Sequence, residues 1–291
     1  MSRPTVTVVI PTIGRPEVER AVLSVLAQTS AVTEILVVAD TLDEFQLPED
    51  GRVKILRVGP GAGGNGARQA GVEAASGELI ALLDDDDEWL PEKLERQLSL
   101  IGDERSGTWV CTSRVVMIRP GGDRQVQPRF PFEAGSDLLH YMFRKTSPLS
   151  GHGFIQASTL VFPRALALEV PFDTSLRFHQ DISWLVDVYR AHSDITVIQA
   201  WAPLAAYHST VGSVSKRIDP RASIEWARKR LAADPRTMGD FILTQSLGFA
   251  RRSSSPLRMI QVLGAGVRHG RPGPSAVVYA AGAIAKTAVG R

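Results

Sequence analysis

Short apolar runs alternate with helical patterns through the first hundred residues. The runs at 5–11, 34–40, 53–58 and 79–83 have the length and apolar content of strands. The segments between them carry apolar residues at helical spacing. Strands that alternate with helices in this way predict an α/β fold, with a mostly parallel sheet and helices on both of its faces.

The alternation loosens after residue 101. Residues 128–153 are rich in Pro, Gly, Ser and aromatic side chains, which predicts a loop with one short helix near 137–143. Apolar patterns predict further strands at 108–118, 158–162, 196–200 and 204–208, and helices at 179–191 and from 220 onward.

Charge divides the chain near the place where the strand pattern ends. The net charge is +2, but residues 214–291 hold 14 Lys and Arg against 4 Asp and Glu. We therefore predict an α/β domain at 1–215, with halves at 1–105 and 106–215, and a basic helical C-terminal extension at 216–291. A basic extension favours an anionic partner, either a membrane surface or a phosphate-bearing acceptor. Solvated helix faces would have the same composition.

The cysteine content and the amino terminus bear on the compartment. The single cysteine, Cys111, excludes an intramolecular disulfide and suits a reducing cytoplasm. Met1-Ser-Arg-Pro leads straight into a strand-like run, without the pattern of a signal peptide. We therefore expect a cytoplasmic protein, with the basic extension in peripheral contact with the inner face of the membrane.

Four consecutive aspartates, Asp84 to Asp87, follow the apolar run at 79–83. Adjacent carboxylates repel one another, so the cluster needs a compensating charge or full exposure to water. A solvated acidic turn is one interpretation. A divalent cation is the other, because Mg²⁺ and Mn²⁺ bind a few carboxylates together with substrate phosphates. The position at the carboxyl end of a buried strand, where open α/β sheets bind their ligands, favours a metal site.

A glycine-rich loop precedes the helix that leads to this strand. Its sequence, Gly61-Ala-Gly63-Gly64-Asn65-Gly66, satisfies the G-x-G-x-x-G pattern of dinucleotide-binding proteins. The loop follows the third strand instead of the first, and four carboxylates stand where a ribose needs one, so a dinucleotide site is disfavoured. A loop that faces phosphate or nucleotide remains open, with Arg68 as a counter-charge.

Together these segments resemble a family 2 glycosyltransferase of the GT-A fold. The resemblance rests on Val6-Thr-Val-Val-Ile-Pro11-Thr12, the strand at 35–40, Asn65-Gly-Ala-Arg68-Gln-Ala-Gly71 and, above all, the block from Gly77 to Leu94 that contains the aspartates. It implies an enzyme that binds a nucleotide-diphosphate sugar. It extends more thinly to about residue 215.

The resemblance also implies roles for residues of the first half. Asp84 and Asp86 would form the D-x-D motif that holds Mg²⁺ or Mn²⁺ and the diphosphate, and Pro11 and Asp40 would line the nucleoside pocket. The family usually has paired aspartates at the second strand, where this chain has Ala39-Asp40, so the choice of nucleotide stays open. The remaining donor-binding residues that we infer are Thr12, Arg15, Asn65, Arg68 and Asp85.

Two residues of the second half have implied roles. Phe178-His179-Gln180-Asp181 is similar to the family's Glu-Asp motif, with Gln180 in the Glu position, and Asp181 would be the general base of an inverting reaction. A helix N-cap is the alternative role for Asp181. The segment Tyr207 to Ser215 is similar to the family's closing segment, in which a histidine, here His208, returns to the metal or the diphosphate; a structural histidine is the alternative.

The resemblance thus implies a metal-dependent glycosyltransferase that moves a sugar, with inversion, to an acceptor hydroxyl. The acceptor would be a saccharide, a lipid-linked molecule or a small molecule, and no nucleic acid is expected as a partner. A metal-dependent nucleotidyltransferase would use the same acidic edge. A non-catalytic protein that binds a nucleotide sugar or a dinucleotide is the alternative from another class.

Overall fold

The computed structural model of the protein describes residues 3–102, 107–149, 153–209, 218–252 and 255–289. The strands in these ranges form one sheet and are β1 (Val6–Thr12), β2 (Glu34–Ala39), β3 (Val53–Arg57), β4 (Leu79–Leu82), β5 (Glu88–Trp89), β6 (Trp109–Ile118), β7 (Arg124–Gln127), β8 (Val161–Pro163) and β9 (Thr196–His208). The helices of the same part of the chain are α1 (Glu17–Leu26), α2 (Gly63–Ala74), α3 (Lys93–Ile101), α5 (Arg164–Glu169) and α6 (Gln180–Ala191), with α4 (Leu138–Phe143) inserted between β7 and β8.

The amino-terminal half of the sheet is parallel, in the order β3-β2-β1-β4. Every residue of β1, β2 and β4 is buried, as their continuous apolar sequences predict, whereas β3 is a partly exposed edge strand. Parallel strands place their carboxyl ends at one edge of the sheet, so Thr12, Asp40 and the aspartates after β4 share that edge. The predicted α/β fold class is confirmed.

The second half of the sheet is mixed. β8 is antiparallel to both β4 and β6, and β9 runs parallel to β6. The segments 196–200 and 204–208, predicted as two strands, form the single strand β9. The register shifts on both sides of Arg114, so Trp201 and Ala202 form a bulge. A bulge accommodates Pro203 without ending the strand, which is why two predicted segments are one element.

A buried carboxylate joins the amino-terminal ends of the parallel strands. Glu34, the first residue of β2, accepts hydrogen bonds from Thr7 Oγ1 of β1 at 3.0 Å and from Ser76 N and Oγ, both at 3.0 Å, ahead of β4. Lys54 Nζ of β3 lies 2.7 Å from its other oxygen. Burial alone would raise the pKa of Glu34, but these donors outweigh it and lower the pKa to about 2.

The chain divides into two units, the first made of 1–127 and 155–210 and the second of 128–154 and 211–291. The sequence predicts 128–154 to be part of the second half of the α/β domain, whereas the structure groups it with the second unit. The predicted boundary at 215 lies outside the described residues. Besides α4, the second unit contains α7 (Pro220–Arg230), α8 (Pro235–Phe241), a π-helical segment (Ile242–Ser246), α9 (Leu247–Arg252), α10 (Pro256–His269) and α11 (Pro274–Ala288).

Polar contacts explain why 128–154 belongs to the second unit. Asp234, the N-cap of α8, lies 2.9 Å from Arg144 Nη2 and 3.1 Å from His140 Nε2, both contributed by the inserted segment. The backbone N–H of Lys145 donates to the buried Asp240. These contacts join residues about 90 positions apart, which a pattern of local spacing does not indicate. No helix in the described ranges is long and apolar enough to cross a bilayer.

The contribution of Glu34 predicts a specific pH dependence. Glu34→Gln should lower the free energy of unfolding by about 2–3 kcal/mol near neutral pH, because its pKa is well below the usual value of 4.5. Because the pKa of Glu34 is lowered in the folded state, its ionised carboxylate stabilises the fold fully above pH 4.5. This stabilisation is lost as the pH falls towards about 2. Urea unfolding across that pH range should show that the difference in the free energy of unfolding between wild type and variant becomes smaller as the pH is lowered.

The matched control is Glu44→Gln. Glu44 pairs with Arg57, but its side chain is 89% exposed, so this variant should match the wild type within about 0.5 kcal/mol at every pH. A difference for Glu34→Gln that does not change with pH would contradict the role assigned to its charge.

Candidate active site

The four aspartates after β4 alternate in direction. Asp85 and Asp87 are buried, whereas Asp84 and Asp86 are half-buried. Asp85 accepts a hydrogen bond from Thr12 Oγ1 at 2.7 Å, and Asp87 accepts from Ser158 Oγ at 2.6 Å and Gln156 Nε2 at 2.7 Å. The inward carboxylates therefore fix the turn to its neighbours, and Asp84 and Asp86 are left at the sheet edge.

The cluster carries more negative charge than its neighbours neutralise. Burial raises the pKa of Asp85 to about 6, with the adjacent charges of Asp84 and Asp86 acting in the same direction. Burial also raises the pKa values of Asp86 and Asp87, and the charge of Asp84 adds to both. Carboxyl groups with raised pKa values at a sheet edge favour a bound cation, which would stabilise their ionised forms.

One buried cation, Arg68 of α2, joins two distant parts of the site. Its Nη2 lies 2.6 Å from Asp84 Oδ1, and its Nη1 donates to Gln180 Oε1 at 3.0 Å and to Asn65 Oδ1 at 3.3 Å. Burial opposes the charge of Arg68, but attraction to Asp84 and, less strongly, to Asp181 raises its pKa. Arg68 thus brings the acidic turn and the start of α6 to one place.

Asp181 lies in the first turn of α6. The helix begins at Gln180 and its N-cap is His179, with φ 53°, so Asp181 is not the N-cap of the alternative interpretation. Its carboxylate accepts from Ile182 N at 2.9 Å and from Ala157 N at 3.3 Å. Burial raises the pKa of Asp181; Arg68 opposes this effect and Asp84 adds to it. A carboxylate with a raised pKa is a stronger base than an exposed one.

The glycine-rich loop is held by Asp40. The two carboxylate oxygens of Asp40 accept the backbone N–H groups of Gly61, Ala62 and Gly63 at 2.7–2.9 Å. The free N–H groups at the start of a helix are those that commonly bind a phosphate, and here Asp40 already accepts their hydrogen bonds. Asp40 therefore orders the loop, and a role in the nucleoside pocket stays a prediction.

Two of the loop glycines allow close approach of other side chains. A Cβ on Gly64 would lie 2.4 Å from Gln180 Oε1, and one on Gly63, which has φ +73°, would lie 2.1 Å from Arg177 Nη1. Gly63 is favoured there by its positive φ, and at Gly64 a larger residue would require the side chain of Gln180 to move.

Basic residues and His208 surround the outer side of the acidic turn. Arg15 Nη1 lies 3.1 Å from Asp86 Oδ2, and Arg20 donates to the backbone oxygen of Asp86 at 2.7 Å. His208 Nε2 lies 2.7 Å from Glu88 Oε1, and its backbone N–H donates to Asp87. The structure thus brings His208 to the acidic turn, next to Glu88; a metal contact by His208 stays a prediction.

The remaining residues that the sequence predicts to bind the donor are less accessible. Pro11 is buried within β1, where it pairs with Val38 of β2. Asn65 is also buried, and its side-chain amide donates to Asp173 O at 2.9 Å. Both lie near the site, and their contacts in this structure are with the protein.

The carboxylate oxygens of the acidic turn fit a hard divalent cation. Within the described ranges, three or more His, Cys, Asp or Glu side chains are nowhere gathered into a metal-binding group. Mg²⁺ commonly takes only one or two carboxylates and completes its shell with water and substrate phosphate. Asp84 and Asp86, the two outward members of an under-neutralised cluster, match that requirement.

Residues 7–161 match the family model described as Glycosyl transferase family 2. The chain belongs to this family. It is 33% identical over 171 residues to the amylovoran biosynthesis glycosyltransferase AmsB of Erwinia amylovora, which covers 56% of this chain and 53% of AmsB. It is 39% identical over 89 residues to WfgD of Escherichia coli, named a UDP-Glc:alpha-D-GlcNAc-diphosphoundecaprenol beta-1,3-glucosyltransferase, covering 29% of this chain and 35% of WfgD. The matched regions span about half the length of AmsB and about one third of the length of WfgD.

Solved structures agree with the family at the level of fold. S. aureus TarS superposes with a TM-score of 0.57 at 17% identity, over 92% of this chain and 44% of TarS. A structure of TarS residues 1–349 in complex with UDP-GlcNAc has a TM-score of 0.53 at the same 17% identity, over 91% of this chain and 72% of that one. These similarities support the GT-A fold.

Several residues of this family 2 site were not found from the sequence. Gln156 and Ser158 hold Asp87 from the short 3₁₀ turn Ala157–Thr159 and the residue before it. Arg20 and Glu88 complete the contacts of the turn with His208. Polar residues in a loop have no periodicity that indicates their partners; only the position of Glu88 directly after the aspartates was a usable signal.

The position of Arg68 predicts a large stability effect. Arg68→Met should lower the free energy of unfolding by about 3–5 kcal/mol, because it leaves a carboxylate without its cation. Arg68→Met/Asp84→Asn should recover part of this loss, because the uncompensated charge is also removed. Chemical denaturation of the three proteins measures both effects.

Arg96→Met is the matched control. Arg96 pairs with Glu92 at the surface, where its side chain is 54% exposed, and its removal should cost about 1 kcal/mol or less. Equal losses for Arg68→Met and Arg96→Met would show that Arg68 is not the buried counter-charge of the site.

Proposed function

We propose that this family 2 protein is a glycosyltransferase that moves a sugar from a nucleotide-diphosphate sugar to an acceptor hydroxyl, with inversion at the anomeric carbon. The observation that carries the proposal is the pair of contacts made by Arg68, to Asp84 at 2.6 Å and to Gln180 at 3.0 Å. The first contact holds the carboxylate that would face the donor, and the second holds the residue next to Asp181, the carboxylate that would face the acceptor.

The donor end would be organised by the acidic turn. Asp84 and Asp86 would hold Mg²⁺ or Mn²⁺ together with the diphosphate. The bound metal would act as a Lewis acid that offsets the charge developing on the leaving diphosphate. Asp85 is buried against Thr12 and keeps the turn in position. Arg15, which lies beside Asp86, would be the protein cation nearest to the diphosphate.

The nucleoside would lie at the ends of β1 and β2. Pro11 and Thr12 end one strand, and Asp40 follows the other and fixes the glycine-rich loop. Asn65 and Arg68 would support the diphosphate side from α2. The similarity to WfgD, whose name gives UDP-Glc and a diphosphoundecaprenol-linked sugar, favours a nucleotide sugar as donor and the hydroxyl of a lipid-linked saccharide as acceptor.

Asp181 would be the general base. Its carboxylate would take the proton of the acceptor hydroxyl while that oxygen attacks the anomeric carbon. The bond from that carbon to the diphosphate oxygen would break on the opposite side, which inverts the configuration. The two hydrogen bonds from backbone N–H groups hold the carboxylate in place, and its raised pKa strengthens it as a base.

The metal assignment predicts the behaviour of Asp86→Asn. In thermal-shift measurements with a panel of nucleoside diphosphates, the wild type should be stabilised only when Mn²⁺ is present, because a ligand that binds the folded state raises the Tm. Asp86→Asn should need a Mn²⁺ concentration at least about tenfold higher for the same shift in Tm, because one carboxylate that coordinates the metal is lost. An unchanged Mn²⁺ requirement would remove Asp86 from the metal site.

The base assignment predicts that Asp181→Asn loses about 10²–10⁴ in kcat, because the amide cannot accept the proton. The variant should retain donor binding, and its Tm should fall slightly, because the two carboxylate oxygens accept from Ile182 N and Ala157 N and an amide offers only one acceptor. The kcat of Asp187→Asn, the same change two turns along α6, should remain within a few-fold of the wild-type value.

The products of the wild-type reaction distinguish the alternative functions. A glycosyltransferase turns over a nucleotide sugar, whereas a binding module would only saturate with it. A glycosyltransferase releases a nucleoside diphosphate, whereas a nucleotidyltransferase would release pyrophosphate from a nucleoside triphosphate.

A further inference from the structure

The outward face of α11 is apolar except for Lys286. The residues that are exposed on this helix and just after it are Pro274, Val277, Val278, Ala281, Gly282, Ala285, Lys286, Ala288 and Val289. Only Lys286 among them has a polar side chain. The buried residues Ala276, Ala280 and Ala283 lie on the other side, so α11 presents apolar residues both to its own unit and to the outside.

α10 repeats this arrangement. Met259, Val262 and Gly266 are buried, whereas Leu257, Ile260 and Val267 are 66%, 52% and 58% exposed. The exposed residues are three and seven positions apart, which puts them on one stripe of the helix, on the side away from the buried residues. Two neighbouring helices in sequence thus each keep an apolar stripe uncovered.

The charge around these stripes has a single sign. From residue 241 to the end of the sequence there are 7 Lys and Arg and no Asp or Glu. The six cations of this stretch that the structure describes are all exposed, and they are Arg251, Arg252, Arg258, Arg268, Arg271 and Lys286. Exposed apolar stripes on helices whose charged residues are all cations are typical of helices that lie in the surface of an anionic bilayer.

We infer that the exposed faces of α10 and α11 form a membrane-contact surface that binds an anionic lipid bilayer. The apolar side chains would enter the boundary between headgroups and acyl chains, and the arginines and Lys286 would pair with lipid phosphates. This inference goes beyond the proposed transferase activity, because it concerns the second unit alone and needs no donor, metal or acceptor.

The charge pattern favours a bilayer over a second copy of the chain. A symmetric dimer places the same surface of two subunits face to face, so six cations would meet six cations with no acidic residue from α9, α10 or α11 to pair with them. An anionic bilayer supplies the missing negative charge and an apolar layer at the same place. Binding should therefore need both components.

The first test is sedimentation of the full chain with vesicles. Vesicles of phosphatidylcholine with about one-third phosphatidylglycerol should bind the protein, and vesicles of phosphatidylcholine alone should bind it at least tenfold more weakly. Raising the salt from about 0.05 M to about 0.5 M should weaken binding several-fold, because it screens the attraction. Absence of binding to the anionic vesicles at low salt would overturn the inference.

Variants separate the apolar contribution from the charge. Val278→Asp/Ala281→Asp should weaken binding at least tenfold, and Arg258→Gln/Arg268→Gln roughly five- to twentyfold. Matched controls in the first unit are Leu23→Asp, where the leucine is 49% exposed, and Arg96→Gln/Arg119→Gln, where both arginines are about half exposed. If the controls weaken binding as much as the test variants, the surface is wrongly assigned.

A labelled position tests the surface without relying on loss of function. The native cysteine, Cys111, is buried, so Val278→Cys can be labelled selectively with an environment-sensitive fluorophore. Its emission should shift to the blue with anionic vesicles, and the same label at Leu23→Cys should not shift. Light scattering decides the remaining alternative: a concentration-dependent dimer that Val278→Asp/Ala281→Asp dissociates would show that a second copy covers the face and would overturn the inference.

Discussion

The attraction between Arg68 and the carboxylates around it is the interaction on which the site depends. A buried guanidinium is tolerated only where opposite charges surround it, and a run of aspartates is tolerated at a sheet edge only where cations face it. Each group therefore requires the other. Because Arg68 also donates to Gln180, the same requirement fixes where α6 begins relative to the strand that ends in the aspartates.

The two ends of the parallel sheet show opposite electrostatic designs. At the amino-terminal end, Glu34 is surrounded by donors and its charge is fully satisfied, which ties four strands together. At the carboxyl end, several carboxyl groups have raised pKa values and are incompletely neutralised. The first arrangement suits a structural anchor. The second is typical of a ligand-binding site, because carboxylates that the protein neutralises incompletely would be stabilised by a bound cation.

Sequence analysis was most successful where burial imposes a pattern. The strands of the first half are continuous apolar runs, and their carboxyl ends meet at one edge, so the position of the acidic turn followed from the chain alone. The contacts of Asp40 with the loop and of Asp87 with Gln156 and Ser158 depend on tertiary structure, and no spacing indicates them. The joining of 196–208 into one strand required the bulge at Trp201, which compensates locally for Pro203.

The alternating direction of the four aspartates means that neighbouring positions of this turn are subject to different constraints. Asp85 and Asp87 face inward to hydroxyl and amide donors, so what matters there is an acceptor of the right size in the right place. Asp84 and Asp86 face the sheet edge, where each carboxylate pairs with an arginine, so these positions supply negative charge. A run that looks uniform in the sequence therefore tolerates substitution differently from one position to the next. Asparagine at 85 would keep an oxygen for the hydroxyl of Thr12, whereas asparagine at 87 would leave a buried donor without an acceptor, because one oxygen of Asp87 accepts from His208 N and the other from Ser158 Oγ and Gln156 Nε2.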